Sequence, residues 1–117
     1  MDRKLEQAIM LRENGEYKQS YWMLLQLVEE YPNDAAIHYQ CAWSFDVIGE
    51  EDHAVPFYEK SISLGLPDED MQGAIIGLGS TYRAIGRYEK ASGIFERGLA
   101  LFLNNRAMQV YYVNGLA

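Results

Sequence analysis

The sequence predicts an all-α fold: three helix–turn–helix units stacked in order and closed by one further helix. Three observations predict it. Gly15, Gly49 and Gly86 stand in matching phrases, Asn-Gly-Glu-Tyr, Ile-Gly-Glu-Glu and Ile-Gly-Arg-Tyr, spaced 34 and then 37 residues apart. A recurring interval of that size is the mark of stacked repeats. Apolar residues around each glycine recur at helical spacing, and no stretch sustains the period-2 alternation of a half-buried strand.

In the first unit Leu5, Ala8, Ile9, Leu11 and Arg12 follow helical spacing up to Gly15. Glycine takes the left-handed backbone that a helix C-terminus often needs. Ser20, Tyr21, Leu24, Leu25, Leu27 and Val28 form a second stripe, ended at Pro32-Asn33-Asp34 because proline drives the residue before it out of the α region. The second unit repeats the pattern with Ile37, Cys41, Ala42, Phe45 and Ile48 before Gly49, and Ala54, Phe57, Tyr58, Ser61, Ile62 and Leu64 after it. Pro56 is placed in about the first turn of that second helix, where a missing N–H matters least. The third unit has Ile75, Leu78, Gly79 and Tyr82, then Ala91, Ile94, Phe95, Leu99 and Phe102. The three extra residues, placed at Glu69, Asp70 and Met71, are expected to lengthen its first helix by nearly a turn. They put Asp68, Glu69 and Asp70 at its N-terminus, where negative charge suits the helix dipole. One domain, 1–117, is expected, with units at about 1–34, 35–68 and 72–105 and a last helix at 106–117.

Aligned on the glycines, Ala8, Ala42 and Gly79 share a column, as do Ser20, Ala54 and Ala91. Leu24, Tyr58 and Phe95 share a third, and Leu27, Ser61 and Gly98 a fourth. Small residues suit places where helices cross closely, and large ones suit places where units interlock. With Leu78-Gly79-x-x-Tyr82-x-x-x-Gly86-x-Tyr88-x-x-Ala91-x-x-x-Phe95, Gly15-x-Tyr17, Pro32, Gly49, Ala54 and Tyr58, about 105 of the 117 residues resemble the tetratricopeptide repeat. The likeness is to a small, bacterial-type member with about three repeats. Departures are Leu103 where the first unit has Pro32, Glu51 in the aromatic place of Tyr17 and Tyr88, and the weak helix former Gly98.

The resemblance implies antiparallel helix pairs in a right-handed superhelix whose first helices line a concave groove. Members of the family mostly bind peptides or protein segments there, or assemble complexes, and few are catalysts. Carried onto this chain, the groove face is Leu5, Ile9 and Arg12, then Tyr39, Gln40, Trp43 and Asp46, then Gly73, Ile76, Gly77, Ser80 and Arg83. Aromatic area and a forked arginine suit peptide recognition; the competing reading packs Tyr39 and Trp43 between neighbouring helices. Some relatives grip a C-terminal carboxylate with lysines, arginines and asparagines. The corresponding positions here are mostly Leu5, Ile9, Gln40, Gly73 and Gly77, so that clamp is not expected. The strip Gly73, Gly77, Ser80 reads first as close helix packing.

A net charge of −7 disfavours nucleic acid as a partner. No run of apolar residues is long enough for a membrane span. The start Met-Asp-Arg-Lys-Leu-Glu-Gln has no apolar signal core. The one cysteine, Cys41, fits a reducing compartment, so a cytoplasmic location is expected. Candidate chemistry is weak. Gly77-Leu-Gly79-Ser-Thr-Tyr82 lacks the third glycine and the preceding strand of a dinucleotide loop. Asp34, His38 and Cys41 fall short of four zinc ligands and read as a surface imidazole beside a buried thiol. His53 and the Glu50-Glu51-Asp52 run read as a solvated turn. No metal, cofactor or catalytic residue is expected, and the chain is expected not to be an enzyme.

Val110, Tyr111, Tyr112 and Val113 are consecutive, so apolar area wraps the last helix instead of forming one stripe. With Tyr21 and Trp22, they predict an apolar surface of the kind that marks association. A homodimer, or packing on further repeats, is the expectation, and a self-assembly unit is the alternative to a peptide-binding module.

Overall fold

The computed structural model describes residues 2–102 and contains six helices among them: α1 (Asp2–Glu13), α2 (Tyr17–Glu30), α3 (Ala35–Val47), α4 (Glu51–Leu64), α5 (Asp68–Ala84) and α6 (Tyr88–Leu101). They form three antiparallel pairs, and each helix packs on its sequence neighbours, with α3 also touching α1 and α5. This is the all-α superhelix of helix pairs that the glycine period predicts. The expectations for 106–117, including Val110, Tyr111, Tyr112 and Val113, lie outside the described residues.

The glycine phrase has a specific physical cause. Gly15, Gly49 and Gly86 have φ of +84°, +79° and +83°. At each, the glycine N–H donates to the carbonyl three residues back and the next N–H donates to the carbonyl five back: Gly15 to Arg12 and Glu16 to Leu11, Gly49 to Asp46 and Glu50 to Phe45, Gly86 to Arg83 and Arg87 to Tyr82. That pair of bonds is the Schellman closure, which needs a left-handed residue.

The columns of the alignment are the contacts within the pairs. Ala8, Ala42, Ser20, Ala54 and Ala91 are fully buried, and Ser20 Oγ donates to the Ala8 carbonyl across the first pair (2.6 Å). A methyl group on Gly79 would drive into the ring of Phe95. Leu24, Tyr58 and Phe95 are buried as well. α5 has 17 residues against 13 in α3, with Asp68, Glu69 and Asp70 in its first turn, as the three-residue insertion predicts.

Two expectations change. Pro56 is the sixth residue of α4 and so lies in the second turn, not the first; the residue four before it, whose carbonyl a proline cannot bond, is the exposed Asp52. His38 is buried, not a surface imidazole: it is 7% exposed, its Nε2 donates to the Pro32 carbonyl (2.8 Å), and its ring lies 5.9 Å from that of Phe57. Cys41 is buried, as expected.

Candidate functional site

The first helices of the pairs, α1, α3 and α5, lie side by side with α3 in the middle. Trp43 projects from α3 and is 44% exposed, unlike the core aromatics around it. Val47, one turn further along the same helix, is 45% exposed. Residues four apart share a helix face, so these two offer one apolar strip. Val47 was not among the predicted residues, although its spacing from Trp43 was readable. Leu5, Ile9, Tyr39, Gln40, Asp46, Gly73, Ile76, Gly77, Ser80 and Arg83 are all partly buried. Leu5 packs on the N-terminal core cluster, and Tyr39 and Ile76 on the larger one.

Arg12 corrects the sequence reading. It is 7% exposed, and its fork is already occupied. One nitrogen donates to the Gln40 carbonyl (3.2 Å) and Ser44 Oγ (3.0 Å), and the other to Gln40 Oε1 (2.6 Å). Its guanidinium lies 4.5 Å from the centre of the Trp43 ring, within cation–π range. Burial, the largest influence, pulls its pKa below the ordinary arginine value. The residue is a strut between α1 and α3, not a free donor for a ligand. Ser44, its buried partner, was not foreseen.

The α5 side of Trp43 is held in a similar way. Tyr39 lies 5.9 Å from the Trp43 ring and 6.4 Å from Tyr58. Tyr58 OH donates to Asp46 Oδ2 (2.9 Å). A Cβ on Gly73 would strike the Tyr39 hydroxyl, and one on Gly77 would fall 2.6 Å from the Tyr58 ring. Gly77 is therefore also corrected: it is a seat for Tyr58, and Gly73 and Gly77 serve packing. Burial, followed by Asp46, pushes the Tyr58 phenol well above its ordinary range, and burial followed by Asp70 raises that of Tyr39. Both hydroxyls therefore stay protonated at neutral pH.

Among the described residues no three His, Cys, Asp or Glu side chains are grouped to hold a metal ion, and no helix is long and apolar enough to cross a membrane. The positions of the carboxylate clamp hold Leu5, Ile9, Gln40, Gly73 and Gly77, none of them cationic.

The family model described as Tetratrico peptide repeat matches residues 35–106. Among solved structures, the first tetratricopeptide domain of Spaghetti (RPAP3), bound to the HSP90 peptide SRMEEVD, superposes with a TM-score of 0.85 at 16% identity, covering 96% of this chain and 86% of that one. YrrB, described as a tetratricopeptide protein with an unusual peptide-binding site, gives 0.84 at 16% identity over 97% and 57% of the two chains. A thermophilic tetratricopeptide protein from Thermus thermophilus gives 0.72 at 23% identity over 90% and 52%. The chain thus spans little more than half the length of the last two. At these identities the likeness is one of fold. A comparison with curated proteins gives no match. Tetratricopeptide domains are non-catalytic interaction modules. The repeat glycines, the small and large columns and the match over 35–106 together place this chain in the tetratricopeptide repeat family.

Proposed function

We propose that this chain captures a peptide or protein segment on the concave faces of α1, α3 and α5, with Trp43 as the central anchor. The single observation that carries the reading is the exposed indole of Trp43, held between Arg12 and Tyr39. A large aromatic whose neighbours are already fixed loses little freedom when a ligand covers it, and such residues dominate binding energy. Val47, Ile9 and Ile76 extend the strip with aliphatic surface, while Asp46, Ser80 and Arg83 supply polar groups. The segment it suits carries apolar side chains; with Arg12 engaged and no lysine at the clamp positions, an acidic chain terminus is a poor match. The RPAP3 domain, by contrast, is bound to a peptide ending in Glu-Glu-Val-Asp.

The test is a photo-crosslinking amino acid at position 43, with position 22 as control, since Trp22 is 58% exposed on α2. A defined segment captured from 43 and not from 22, and lost on dilution with an excess of unlabelled domain, supports the reading. Equal capture at both positions refutes it. Trp43→Ala should abolish capture at unchanged helicity; loss of the fold would move Trp43 into the core.

The alternative, self-assembly, draws on Val110–Val113 and on Trp22 and Leu25, both exposed on α2. Light scattering over a dilution series separates the two, because an assembly unit would be a dimer without any external partner and a peptide binder would not. A cytoplasmic setting fits both readings.

A further inference from the structure

Two seams separate the second helices of successive pairs, and they are filled differently. In the seam between α2 and α4 the ring of Phe45 stacks on Phe57 at 5.6 Å and on His53 at 5.5 Å, with Tyr21 at 5.7 Å and His38 against Phe57. In the seam between α4 and α6 the positions one repeat later hold Tyr82 for Phe45, Ile94 for Phe57, Lys90 for His53 and Gly93 for Pro56. The ring stack is gone. In its place is a cleft of about 610 Å³, floored by Ile62, Leu78, Tyr82 and Ile94 and bounded by Glu59, Lys90 and Arg97. A Cβ on Gly93 would meet nothing within 4 Å.

The charges of this cleft are unequal. Glu59 Oε2 accepts from the Tyr82 hydroxyl (2.9 Å), so its carboxylate is turned onto the floor. Lys90 lies 5.8 Å above the Tyr82 ring, and neither Lys90 nor Arg97 has a carboxylate partner among the described residues. They stand seven residues apart on α6, about 10 Å along its axis at 1.5 Å per residue, with Gly93 and Ile94 between them.

We propose that the cleft between α4 and α6 is a second docking site, taking an extended acidic segment of a partner protein. Two carboxylates reach Lys90 and Arg97, and an aliphatic side chain between them drops over Gly93 onto Leu78 and Ile94. Carboxylates at i and i+4 of an extended strand share one face with the aliphatic side chain at i+2 and are about 13 Å apart at some 3.3 Å per residue, within reach of the long, flexible side chains of the two cations. None of its lining residues is among those packed on the Trp43 ring, so it stands or falls independently of the concave reading.

The probe is the capped peptide Gly-Glu-Ala-Leu-Ala-Glu-Gly, titrated at low salt into uniformly 15N-labelled full chain and followed by amide shifts. Saturable shifts at Gly93, Ile94 and Leu78 are expected with this peptide and not with its Gln-Ala-Leu-Ala-Gln counterpart. Lys90→Glu with Arg97→Glu should weaken binding by roughly tenfold or more, since two charge contacts are lost and replaced by repulsion. Gly93→Leu should block the cleft while the circular dichroism stays that of a folded chain, because open space lies where the side chain goes. Trp43→Ala should bind the peptide normally. Absence of shifts at Gly93, equal shifts with the glutamine peptide, or binding that survives Gly93→Leu would each overturn the proposal.

Discussion

Replacing Arg12 with alanine separates a structural strut from a ligand donor. The wild-type fork makes three bonds, to the Gln40 carbonyl, Gln40 Oε1 and Ser44 Oγ. Hydrogen bonds to a charged group contribute about 1.5–3 kcal/mol each, and the stack on Trp43 adds about 0.5–2 kcal/mol. These do not sum, because removing a buried guanidinium also relieves the desolvation that lowers its pKa. The residual cost is that of Ser44 Oγ, buried and deprived of its donor, together with lost packing of the arginine stem. The net expectation is a loss of about 2–3 kcal/mol, a large part of a usual stability of about 5–15 kcal/mol. Urea unfolding followed at 222 nm measures it. Arg12→Lys should recover only part of the loss, because a point charge cannot span Gln40 and Ser44 as a planar fork does. A midpoint for Arg12→Ala equal to that of the parent, at equal slope, would refute the strut and return Arg12 to the set of free ligand donors.

Gly79→Ala should destabilise by about 1–3 kcal/mol, because the added methyl meets the fully buried ring of Phe95, whereas Gly93→Ala should stabilise by about 0.5–1 kcal/mol, because nothing opposes it and helix propensity favours it; thermal melts of the two variants give opposite signs. Burial raises the Cys41 thiol from 9.0 to about 12 and, with Glu59, the Tyr82 phenol from 10.0 to about 12, and Tyr58 shifts the same way. The folded state thus holds protons that the unfolded chain releases. Stability should be full below about pH 9 and fall as the pH rises through about 12; urea midpoints between pH 7 and 11 check this, and a flat profile would contradict it. Cys41 should react with a thiol reagent at a rate that follows unfolding, slow in buffer and fast above the urea midpoint; rapid labelling of the folded chain would show that the thiol is reachable.

The fold was legible because its requirements are local. Each left-handed turn after a first helix needs a residue free to take positive φ, so the glycine period survives even where the neighbouring aromatic is lost at Glu51. The columns Ala8, Ala42, Gly79 and Ser20, Ala54, Ala91 were legible for the same reason, since a close helix crossing excludes bulk whatever surrounds it. The site was less legible because it depends on pairings across units. Nothing near Arg12 announces that Gln40 and Ser44, 28 and 32 residues away, will take up its fork. Gly73 and Gly77 could be read as a packing strip, but their partners, Tyr39 and Tyr58, come from two other helices. The burial of His38 was not readable from its column, which holds the exposed Lys4 in the first unit and the fully buried Ile75 in the third; histidine itself is intermediate in burial.

The exposure of Trp43 follows from its neighbours and not from its own chemistry. A tryptophan in mid-helix would ordinarily gain by lying down against the next helix and burying its ring. On one side that place is taken by Arg12, whose guanidinium is fixed by Gln40 and Ser44. On the other it is taken by Tyr39, which can lean over α5 because Gly73 has no side chain, and by Tyr58, which occupies the gap at Gly77 and is tied to Asp46. The glycines of α5 therefore act on Trp43 at one remove. By letting two tyrosines settle into α5, they leave the indole standing between a filled cationic side and a filled aromatic side. An alanine at Gly73 would displace Tyr39 and free the indole to repack, so a chain with the same Arg12, Tyr39 and Trp43 would offer a different surface. Preorganisation of the proposed binding face is thus distributed over all three pairs, because α1 and α5 hold the flanks of α3.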